Sequence, residues 1–326
     1  MTAAADDSWQ PVADVSVARQ RALLLQRARR FFADRDILEI DTPAIGEAAV
    51  SDPGIESIAV KLALAPARSF YLQTSPEFHM KRLLAAGFPD IFQIGRVFRD
   101  AEIGTNHQPE FSMVEWYRLE FGLEQMMQET IDLIEALLDP ARITSTADRL
   151  SYCDAFKDIV GIDPLHTDID ELDRLLNIEP DLCSALGDSV DSRLDLLMAT
   201  RIAPQFRPGR LTVIHHYPAS QAALARHCPD DNTLADRFEV FYGSLELANG
   251  YVELTDVAEQ ARRLETDQDK RRRNNALIRP VDRKFIAALE SGLPACAGVA
   301  VGFDRLMMVH GGSDNIRQVR HFPIEV

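Results

Sequence analysis

The sequence predicts an α+β protein that forms one domain, and three patterns carry this prediction. Apolar residues at helical spacing in residues 17–32 predict an amphipathic helix with a basic outer face. Alternating apolar residues in 90–100 and 111–121 predict two antiparallel strands joined by a long polar loop. Near the C-terminus a strand-like run ends at Gly302, and a helix is predicted to begin near Asp304.

The composition narrows the class of protein. A chain of 326 residues with 46% hydrophobic and 26% charged residues is typical of a soluble globular protein. The sequence has no run of about 18 uncharged apolar residues, which a membrane span requires, so a cytoplasmic location is predicted. The net charge of −16 argues against a wide nucleic-acid-binding surface, because phosphate contacts require clustered Lys and Arg.

The spacing of cysteines and histidines predicts neither a zinc site nor a disulfide framework. The four cysteines lie far apart without a CxxC pair, and the histidines considered as ligands have no metal-ligand spacing. These residues are Cys153, Cys183, Cys228 and Cys296, and His79, His107, His215 and His216.

Element boundaries follow from proline, glycine and capping residues. The run ILEIDTPAI predicts a strand that ends at Pro43, whose nitrogen cannot donate to a sheet. The next helix is predicted to have Ser75 as its N-cap, Pro76 at its first position and Gly87 as its stop. Residues 124–210 predict mostly helices, after which strand-like runs return.

Polar residues at the ends of the predicted elements indicate a polyphosphate site. Arg99 lies at the end of a strand, and a guanidinium fork matches phosphate oxygens. Arg305 lies in the first turn of the last helix, where free backbone N–H groups favour an anion. Glu246 and Glu253 flank residues 249–250, where a turn or bulge would bring both carboxylates to one Mg²⁺ ion. Singly, each residue is more typical of a surface position, and only their joint order favours a site.

Within the predicted hairpin, alternation also places side chains on common faces. Val97 and Arg99 share one face of the first strand, and Glu115 and Tyr117 share one face of the second.

The order of these motifs resembles the catalytic domain of class II aminoacyl-tRNA synthetases, and within them the lysyl branch. Residues 17–45 resemble motif 1, residues 91–120 with FRDAEIGTNHQPEFSMVEWY resemble motif 2, and residues 298–312 with GVAVGFDRL resemble motif 3. TSPEFHMKRLL and ELANGYVEL extend the resemblance to nearly the whole chain. It implies an antiparallel sheet flanked by helices, one domain over 1–326 with a mostly helical insertion at 124–210, and a homodimer formed through motif 1.

The resemblance implies roles for individual residues. Arg99 would bind the α-phosphate of ATP and Arg305 the γ-phosphate, and these two are the implied catalytic residues. Glu246 and Glu253 would hold Mg²⁺ and ATP, and Gly302 would leave room for adenosine. The other implied ATP contacts are Glu102, Gln108 and Leu247, and the implied contacts to the amino acid are Ser75, Pro76, Glu77, Tyr117, Asn249, Glu253 and Ala300. Whether Glu115 contacts a ligand stays open.

Motif 2 departs from the family pattern at two positions. Synthetases commonly have glutamate two residues after the arginine, where this chain has Ala101 followed by Glu102. A shift of one residue in the turn would let Glu102 reach the adenine; otherwise the backbone would make this contact. Gln108 occupies a position where relatives often have Asn, and it retains the amide.

The segment ahead of motif 1 is short. Lysyl-tRNA synthetases have an anticodon-binding barrel there, whereas about 16 residues precede motif 1 here, too few for a folded domain. The chain therefore resembles the family of elongation factor P lysine ligases, which activate a lysine as its adenylate and transfer it to a lysine side chain of that factor. VFYGSLELANG and YPASQAALA are close to that family's pattern. Ala300, where lysyl-tRNA synthetases tend to have Gly, is consistent with a preference for (R)-β-lysine.

Two other functions stay open. An enzyme with the same core would charge tRNA without an anticodon domain, or act on a small amine. The acidic composition disfavours tRNA, although the basic run 270–284, typically a solvated helix face, would offer a local patch. A catalytically inactive paralogue with a regulatory role is favoured only by Ala101, and retention of the two arginines and two glutamates opposes it.

Overall fold

Helices flank a large sheet in the part of the chain that the structure describes. The structure is a computed structural model and describes residues 9–144, 146–177, 186–274 and 276–325. The α-helices of these residues are α1 (Val15–Ala33), α2 (Glu77–Ala85), α3 (Leu123–Leu137), α4 (Tyr152–Ile159), α5 (Ile169–Leu176), α6 (Val190–Leu197), α7 (Val257–Arg273), α8 (Arg283–Gly292) and α9 (Phe303–Gly311). None of these helices is long and apolar enough to cross a membrane.

The strands form two sheets. In chain order they are β1 (Leu38–Glu39), β2 (Ile45–Gly46), β3 (Ala59–Val60), β4 (Phe70–Leu72), β5 (Ile91–Phe98), β6 (Glu110–Leu119), β7 (Asp148–Ser151), β8 (Leu211–Pro218), β9 (Leu234–Tyr242), β10 (Leu245–Val252) and β11 (Cys296–Gly302). The large sheet has the order β1-β5-β6-β11-β10-β9-β8-β7, and the small sheet has the order β2-β4-β3. The terminal pairs β1–β5 and β7–β8 are parallel, and the pairs between them are antiparallel. This confirms the predicted α+β fold with a mainly antiparallel sheet.

One face of the large sheet packs against the hydrophobic sides of α1, α3 and α9. Strand side chains alternate, so Val114 and Trp116 of β6 and Val299 and Val301 of β11 join this core. Each of these side chains is at most 2% exposed, and burying one contributes about 1.5–3 kcal/mol. The residues between them therefore face the opposite side of the sheet.

The segment after α1 differs from its prediction. The helix itself buries Leu24 and Phe32 as predicted, but the strand predicted to end at Pro43 is wrong in length. β1 has two residues, and after Ile40 donates to the carbonyl of Phe92 (2.9 Å) the chain leaves β5 and pairs as β2 with β4. Pro43 lies between the two short strands, where its missing N–H costs no sheet hydrogen bond.

The predicted hairpin of motif 2 is confirmed. β5 and β6 pair antiparallel over the whole of β5, and residues 99–109 connect them. Arg99 follows the last residue of β5, and its N–H donates to the carbonyl of Pro109 (2.8 Å). Its side chain therefore starts where the sheet ends and the loop begins.

Of the turn or bulge predicted between Glu246 and Glu253, the turn at Asn249 and Gly250 is wrong, and a bulge lies at Glu246–Ala248. β9 and β10 form a hairpin whose turn lies at Gly243 and Ser244, where Gly243 has a φ of +53°. β10 continues through Asn249 and Gly250. Gly250 is needed for packing, because a Cβ there would lie 2.5 Å from the ring of Phe238 on the core side of the sheet.

The helix that contributes to the site begins later than predicted. α2 starts at Glu77, with Pro76 as its N-cap. Ser75 Oγ still accepts from the Glu77 N–H (3.0 Å), but its own proton is donated to Glu115 Oε2 (2.9 Å). Gly87 follows the helix with a φ of +88°, which confirms its prediction as the stop.

The segment 124–210 is mostly helical over its described residues, as predicted. The strand β7 was not predicted; it pairs in parallel with β8 and forms one edge of the large sheet. Helices α4, α5 and α6 pack around a separate core that contains Tyr152 and Phe156. Cys183 lies outside the described residues.

Candidate active site

A cavity of about 400 Å³ opens on the polar face of the large sheet. Its floor is formed by β6, β9, β10 and β11, and its walls by the starts of α2 and α9, the loop 99–109 and residues 50–55. The predicted site residues that line it are Ser75, Glu77, Arg99, Glu102, Gln108, Tyr117, Glu246, Leu247, Asn249, Glu253, Ala300, Gly302 and Arg305. Pro76 is buried outside the lining. The structure thus brings the other predicted residues together, and their ligand roles remain predictions.

Strand register arranges the floor in rows. Two rows cross from β9 through β10 and β11 to β6; the first is Arg237, Tyr251, Gly298 and Tyr117, and the second is Glu239, Asn249, Ala300 and Glu115. Residues two apart on a strand share a face, and all members of both rows line the cavity. The predicted common face of Glu115 and Tyr117 is thereby confirmed.

A buried lysine holds two carboxylates at one end of the cavity. Lys81 of α2 bonds to Glu77 Oε1 (2.6 Å) and to Glu253 Oε2 (2.5 Å). The side chains of Lys81 and Glu253 are each 1% exposed. Burial alone would lower the pKa of Lys81, but Glu253 and Glu77 together raise it above its usual value. Lys81 is therefore a charged residue that fixes Glu253 against the floor.

Glu115 adds a third carboxyl group to this acidic end. It accepts hydrogen bonds from Ser75 Oγ (2.9 Å) and from the Tyr117 hydroxyl (2.9 Å). Burial raises the pKa of Glu115 to about 8, and the nearby Glu77 adds to the shift. Because both hydrogen-bond donors are neutral hydroxyl groups, Glu115 is suited to an ammonium ligand that would restore its charged form.

Arg99 lines the same cavity. Its Nε donates to the carbonyl of Thr74 at 3.4 Å, and its Nη1 lies 3.6 Å from Glu102 Oε1. The guanidinium also lies over the ring of Phe111, 5.2 Å from the centroid. These are long contacts, so the fork of donors stays available for phosphate oxygens.

Arg305, in the first turn of α9, is held more tightly. Its Nη1 donates to the carbonyl of Glu246 (2.7 Å), and its Nη2 lies 2.7 Å from His107 Nε2. Burial and the adjacent Arg305 lower the pKa of His107, so the neutral ring accepts from the guanidinium. His107 was not predicted as a site residue, since a lone histidine in a loop gives no such signal.

The backbone around Ala101 forms a turn that is consistent with the predicted shift of one residue in motif 2. Ala101 has a φ of +60°, and its N–H donates to the Asp100 side chain (2.9 Å). This turn directs the next residue, Glu102, into the cavity. The alternative in which Glu102 faces a ligand therefore fits the structure.

Gln108 joins the cavity wall to the C-terminal segment. Its side chain is 2% exposed, and its Oε1 accepts from the Ile324 N–H (2.8 Å). This structural contact was not predicted and leaves only part of the amide for a ligand.

The pairing of Glu246 with Glu253 on one metal ion stays a prediction, and the strand between the two residues does not favour it. β10 extends from Leu245 to Val252 with a bulge at Glu246–Ala248, so roughly 20 Å of extended chain separate Glu246 from Glu253. Glu253 is moreover bound to Lys81 at 2.5 Å.

Glu239 of β9 is a second carboxylate near Glu246 on the cavity floor, and its Oε1 accepts from Arg237 Nη2 (2.6 Å). It pairs in register with Asn249, and Asn249 Nδ2 lies 3.4 Å from Glu239 Oε1. Burial raises the pKa of Glu239 to about 7; Arg237 opposes this shift, and the nearby Glu246 adds to it. Asn249 Oδ1 is buried and has no hydrogen-bond partner among the residues that the structure describes. Two neighbouring carboxylates and a free amide oxygen fit the oxygen ligands that Mg²⁺ prefers.

Part of the basic run 270–284 supports the cavity wall. Arg271 is completely buried, and its guanidinium donates to the carbonyls of Ser51 (2.9 Å), Asp52 (2.6 Å) and Ile55 (2.7 Å). Arg279 is also buried and pairs with Glu56. The prediction of a solvated face is therefore wrong for these two arginines, which instead hold residues 51–57 in place.

Comparison with known proteins identifies the class. Residues 14–326 match the family described as tRNA synthetases class II (D, K and N), and the chain belongs to that family. It is 42% identical over 322 residues to the elongation factor P--(R)-beta-lysine ligase of Photorhabdus laumondii, which covers 97% of this chain and 98% of that protein. The ligase of the same name from Haemophilus influenzae Rd is 40% identical over 321 residues (97% and 98%), and that from Vibrio cholerae O1 is 42% identical over 324 residues (98% and 98%).

These findings confirm the predicted class II synthetase fold and the predicted enzyme class, an ATP-dependent ligase. They also confirm the predicted resemblance to the elongation factor P ligases over nearly the whole chain.

Proposed function

We propose that this protein uses ATP to activate (R)-β-lysine as an adenylate and transfers it to the ε-amine of a lysine of elongation factor P. The observation that carries the proposal is that one cavity is lined both by three glutamates and by two arginines. Glu77, Glu115 and Glu253 would bind the two ammonium groups of a diamino acid. Arg99 and Arg305 would bind the phosphates. The names of the relatives support the amino acid and the acceptor.

In the first step, a carboxylate oxygen of the amino acid attacks the α-phosphorus, and pyrophosphate leaves. Arg99 stabilises charge on the α-phosphate through its weakly engaged fork, and Arg305 holds the leaving phosphates at the start of α9. Glu239, Glu246 and Asn249 would hold Mg²⁺, which neutralises phosphate charge when bound. In the second step, the uncharged lysine amine of the acceptor attacks the adenylate carbonyl, which releases AMP and a proton.

A homodimer formed through motif 1 is part of the proposal. Large apolar side chains in this region are exposed, including Leu23 (43%), Leu38 (46%) and Ile45 (43%). A second copy would cover such side chains.

The proposal is tested by ATP–pyrophosphate exchange with Mg²⁺ and (R)-β-lysine, L-lysine or no amino acid, followed by mass spectrometry of added elongation factor P. We expect exchange that depends on a lysine isomer, with a mass gain of one such residue on one lysine of the factor. Exchange without modification of the factor would refute the acceptor alone. No exchange with any amino acid would refute the adenylate chemistry and favour a regulatory role.

The elevated pKa of Glu115 predicts a pH dependence of substrate use. A protonated Glu115 cannot pair with an ammonium group, so kcat/KM for the amino acid in exchange should fall about tenfold per pH unit below about 8. The Glu115→Gln variant should have low kcat/KM and lose this limb of the profile. The Glu110→Gln variant, which changes a half-buried carboxylate of the same strand, is the control.

Glu115 also makes the stability of the folded protein depend on pH, and here a rise in pH is unfavourable. The folded pKa of Glu115, about 8, lies above its usual 4.5, so its stabilising contribution is complete below pH 4.5 and is lost as pH rises through 8. Thermal unfolding of ligand-free protein should therefore show a smaller loss of stability between pH 5 and 8 in Glu115→Gln than in wild type. Identical slopes in the two proteins would contradict the shift.

Two glycines of β11 lie near different site residues, Gly298 beside Glu253 and Gly302 beside Arg305. A Cβ at Gly298 would collide with the Tyr117 ring and lie 2.6 Å from Glu253 Oε1, whereas at Gly302 its nearest neighbour is Arg305 at 3.6 Å. We expect Gly298→Ala to cost about 1–3 kcal/mol of stability and to raise KM for the amino acid. Gly302→Ala should fold normally yet raise KM for ATP at least about tenfold, or 1.4 kcal/mol. An unchanged KM for ATP in Gly302→Ala would show that adenosine lies elsewhere.

A further inference from the structure

A second group of metal-binding side chains lies outside the cavity, beside β8. His216 of β8, Cys228 of the β8–β9 connection and Asp236 of β9 place one ligand atom each within 4.8 Å of one another. Cys228 Sγ lies 3.2 Å from Asp236 Oδ1, and His216 Nε2 lies 3.8 Å from the same oxygen. None of the three residues lines the cavity described above.

The two separations that involve Asp236 are close to those around one tetrahedral zinc ion. With Zn–N and Zn–O bonds of about 2.0–2.1 Å and a Zn–S bond of about 2.3 Å, tetrahedral angles place N and O roughly 3.3 Å apart and S and O roughly 3.5 Å apart. The observed 3.8 Å and 3.2 Å differ from these values by at most half an ångström. Side-chain rotation alone would close this difference.

Neighbouring groups orient two of the ligands as metal sites require. His216 Nδ1 lies 2.8 Å from His215 Nδ1, which occupies that nitrogen and leaves Nε2 for the cluster. Asp236 Oδ2 accepts from Arg226 Nε (2.7 Å), so Oδ1 is the oxygen left to face the histidine and the cysteine. Such outer hydrogen bonds fix the tautomer and orientation of ligating side chains.

The backbone at His216 is strained in a way that serves the cluster. His216 has a φ of +56° and lies at a register shift between His215 and Tyr217 in the pairing of β8 with β9. A residue with a side chain pays a conformational penalty in this region, which glycine avoids. The bulge places His216 on the ligand side, and functional sites are where such strain is retained.

We propose that His216, Cys228 and Asp236 bind one zinc ion, with water at the fourth position beside the half-exposed histidine. The ion would fix the connection between β8 and β9 next to the acidic end of the cavity. In that connection Ala225 bridges to Glu253, and the Arg226 N–H donates to the carbonyl of Val252 (2.9 Å). The sequence predicts no zinc site because its ligands come from three segments that only the folded sheet brings together.

Metal analysis of the full-length protein tests the site directly. Protein stripped with chelator and loaded with Zn²⁺ should retain about one tightly bound ion, and Co²⁺ in its place should give the near-ultraviolet charge-transfer band of a cobalt–thiolate bond. Cys228→Ser should lose both, whereas Cys153→Ser, which changes a half-buried cysteine of α4, should keep both. Carboxylates of the cavity cannot produce the thiolate band. Wild-type protein without this band, or Cys228→Ser with unchanged zinc retention, would overturn the proposal.

The strain at His216 supplies a second measurement that does not depend on Cys228. His216→Gly removes the backbone penalty, so it should raise Tm in chelator, and it removes a ligand, so the rise in Tm that zinc gives wild type should shrink or vanish. A zinc-dependent rise in Tm equal to that of wild type would contradict the assignment of His216. The proposal and these tests do not depend on which amino acid the enzyme activates.

Discussion

Replacing Arg99 by alanine is expected to slow ATP–pyrophosphate exchange by about 10²–10³-fold, equivalent to about 2.7–4 kcal/mol of transition-state stabilisation. The physical reason is that its guanidinium group makes only weak contacts within the protein. Its contacts to Thr74 and Glu102 are long, at 3.4 Å and 3.6 Å, so its donors are not consumed by the protein. A ligand with phosphate oxygens would be its first strong partner, and the loss should fall on kcat rather than on stability.

The chain offers matched controls for this experiment. Arg96→Ala removes an exposed arginine of β5, the strand that precedes Arg99. Arg96 lies 3.4 Å from Glu110 and outside the cavity lining, so this change should alter exchange less than about threefold. Arg99→Lys retains the charge without the bidentate fork and should give an intermediate rate. Exchange in Arg99→Ala within a few-fold of wild type would remove Arg99 from the catalytic assignment.

Much of the site could be predicted from the sequence because strands impose a simple geometry. Alternation alone places Glu115 and Tyr117 on one face of β6, and the structure shows both in the cavity. The strand-to-helix junction at Gly302 likewise fixes Arg305 in the first turn of α9. In both cases residues close together in the sequence determine where the side chain points, and the sheet adds only the neighbouring strands.

The missed residues depend on contacts between distant segments. Lys81 lies in a helix beside Arg82 and has the sequence pattern of an ordinary polar position. Only the fold, which brings α2 next to the residue that follows β10, shows that Lys81 contacts Glu253. Glu239 left a weak local signal, as the single acidic residue among apolar neighbours in RFEVFY. The turn expected at Asn249 would have supplied a pair of carboxylates, Glu246 and Glu253, within one short segment, so Glu239 was not predicted as a ligand.

The hairpin of β9 and β10 shows why the turn was misplaced. The run VFYGSLELANGYVEL contains two glycines, Gly243 and Gly250, and the sequence alone does not show which of them forms the turn. Gly243 adopts positive φ between paired Tyr242 and Leu245. Gly250 instead leaves space for the ring of Phe238, with which a Cβ would collide. A glycine required by packing and a glycine required by a turn look the same until the partner strand is known.

Replacing Lys81 by methionine should have the largest effect on stability. Lys81 is buried and bonds to Glu77 at 2.6 Å and to Glu253 at 2.5 Å, so its removal leaves Glu253 as a buried acid without its cation. Loss of one partner from a buried ion pair costs about 3–5 kcal/mol. Denaturant unfolding of ligand-free protein should show this loss, whereas Lys284→Met, which removes an exposed lysine paired with Glu47, should change stability by less than about 1 kcal/mol.

A ligand measurement separates the functional role of Lys81 from its structural role. If Glu253 receives a substrate ammonium group, that group supplies the missing positive charge in Lys81→Met. Saturating (R)-β-lysine should therefore raise the Tm of Lys81→Met more than it raises the Tm of wild type, because binding a cation beside the orphaned carboxylates relieves a penalty that wild type does not carry. A smaller ligand-induced rise in the variant, in protein that still folds, would mean that Lys81 positions Glu253 for the substrate, and that the ammonium ion cannot take its place.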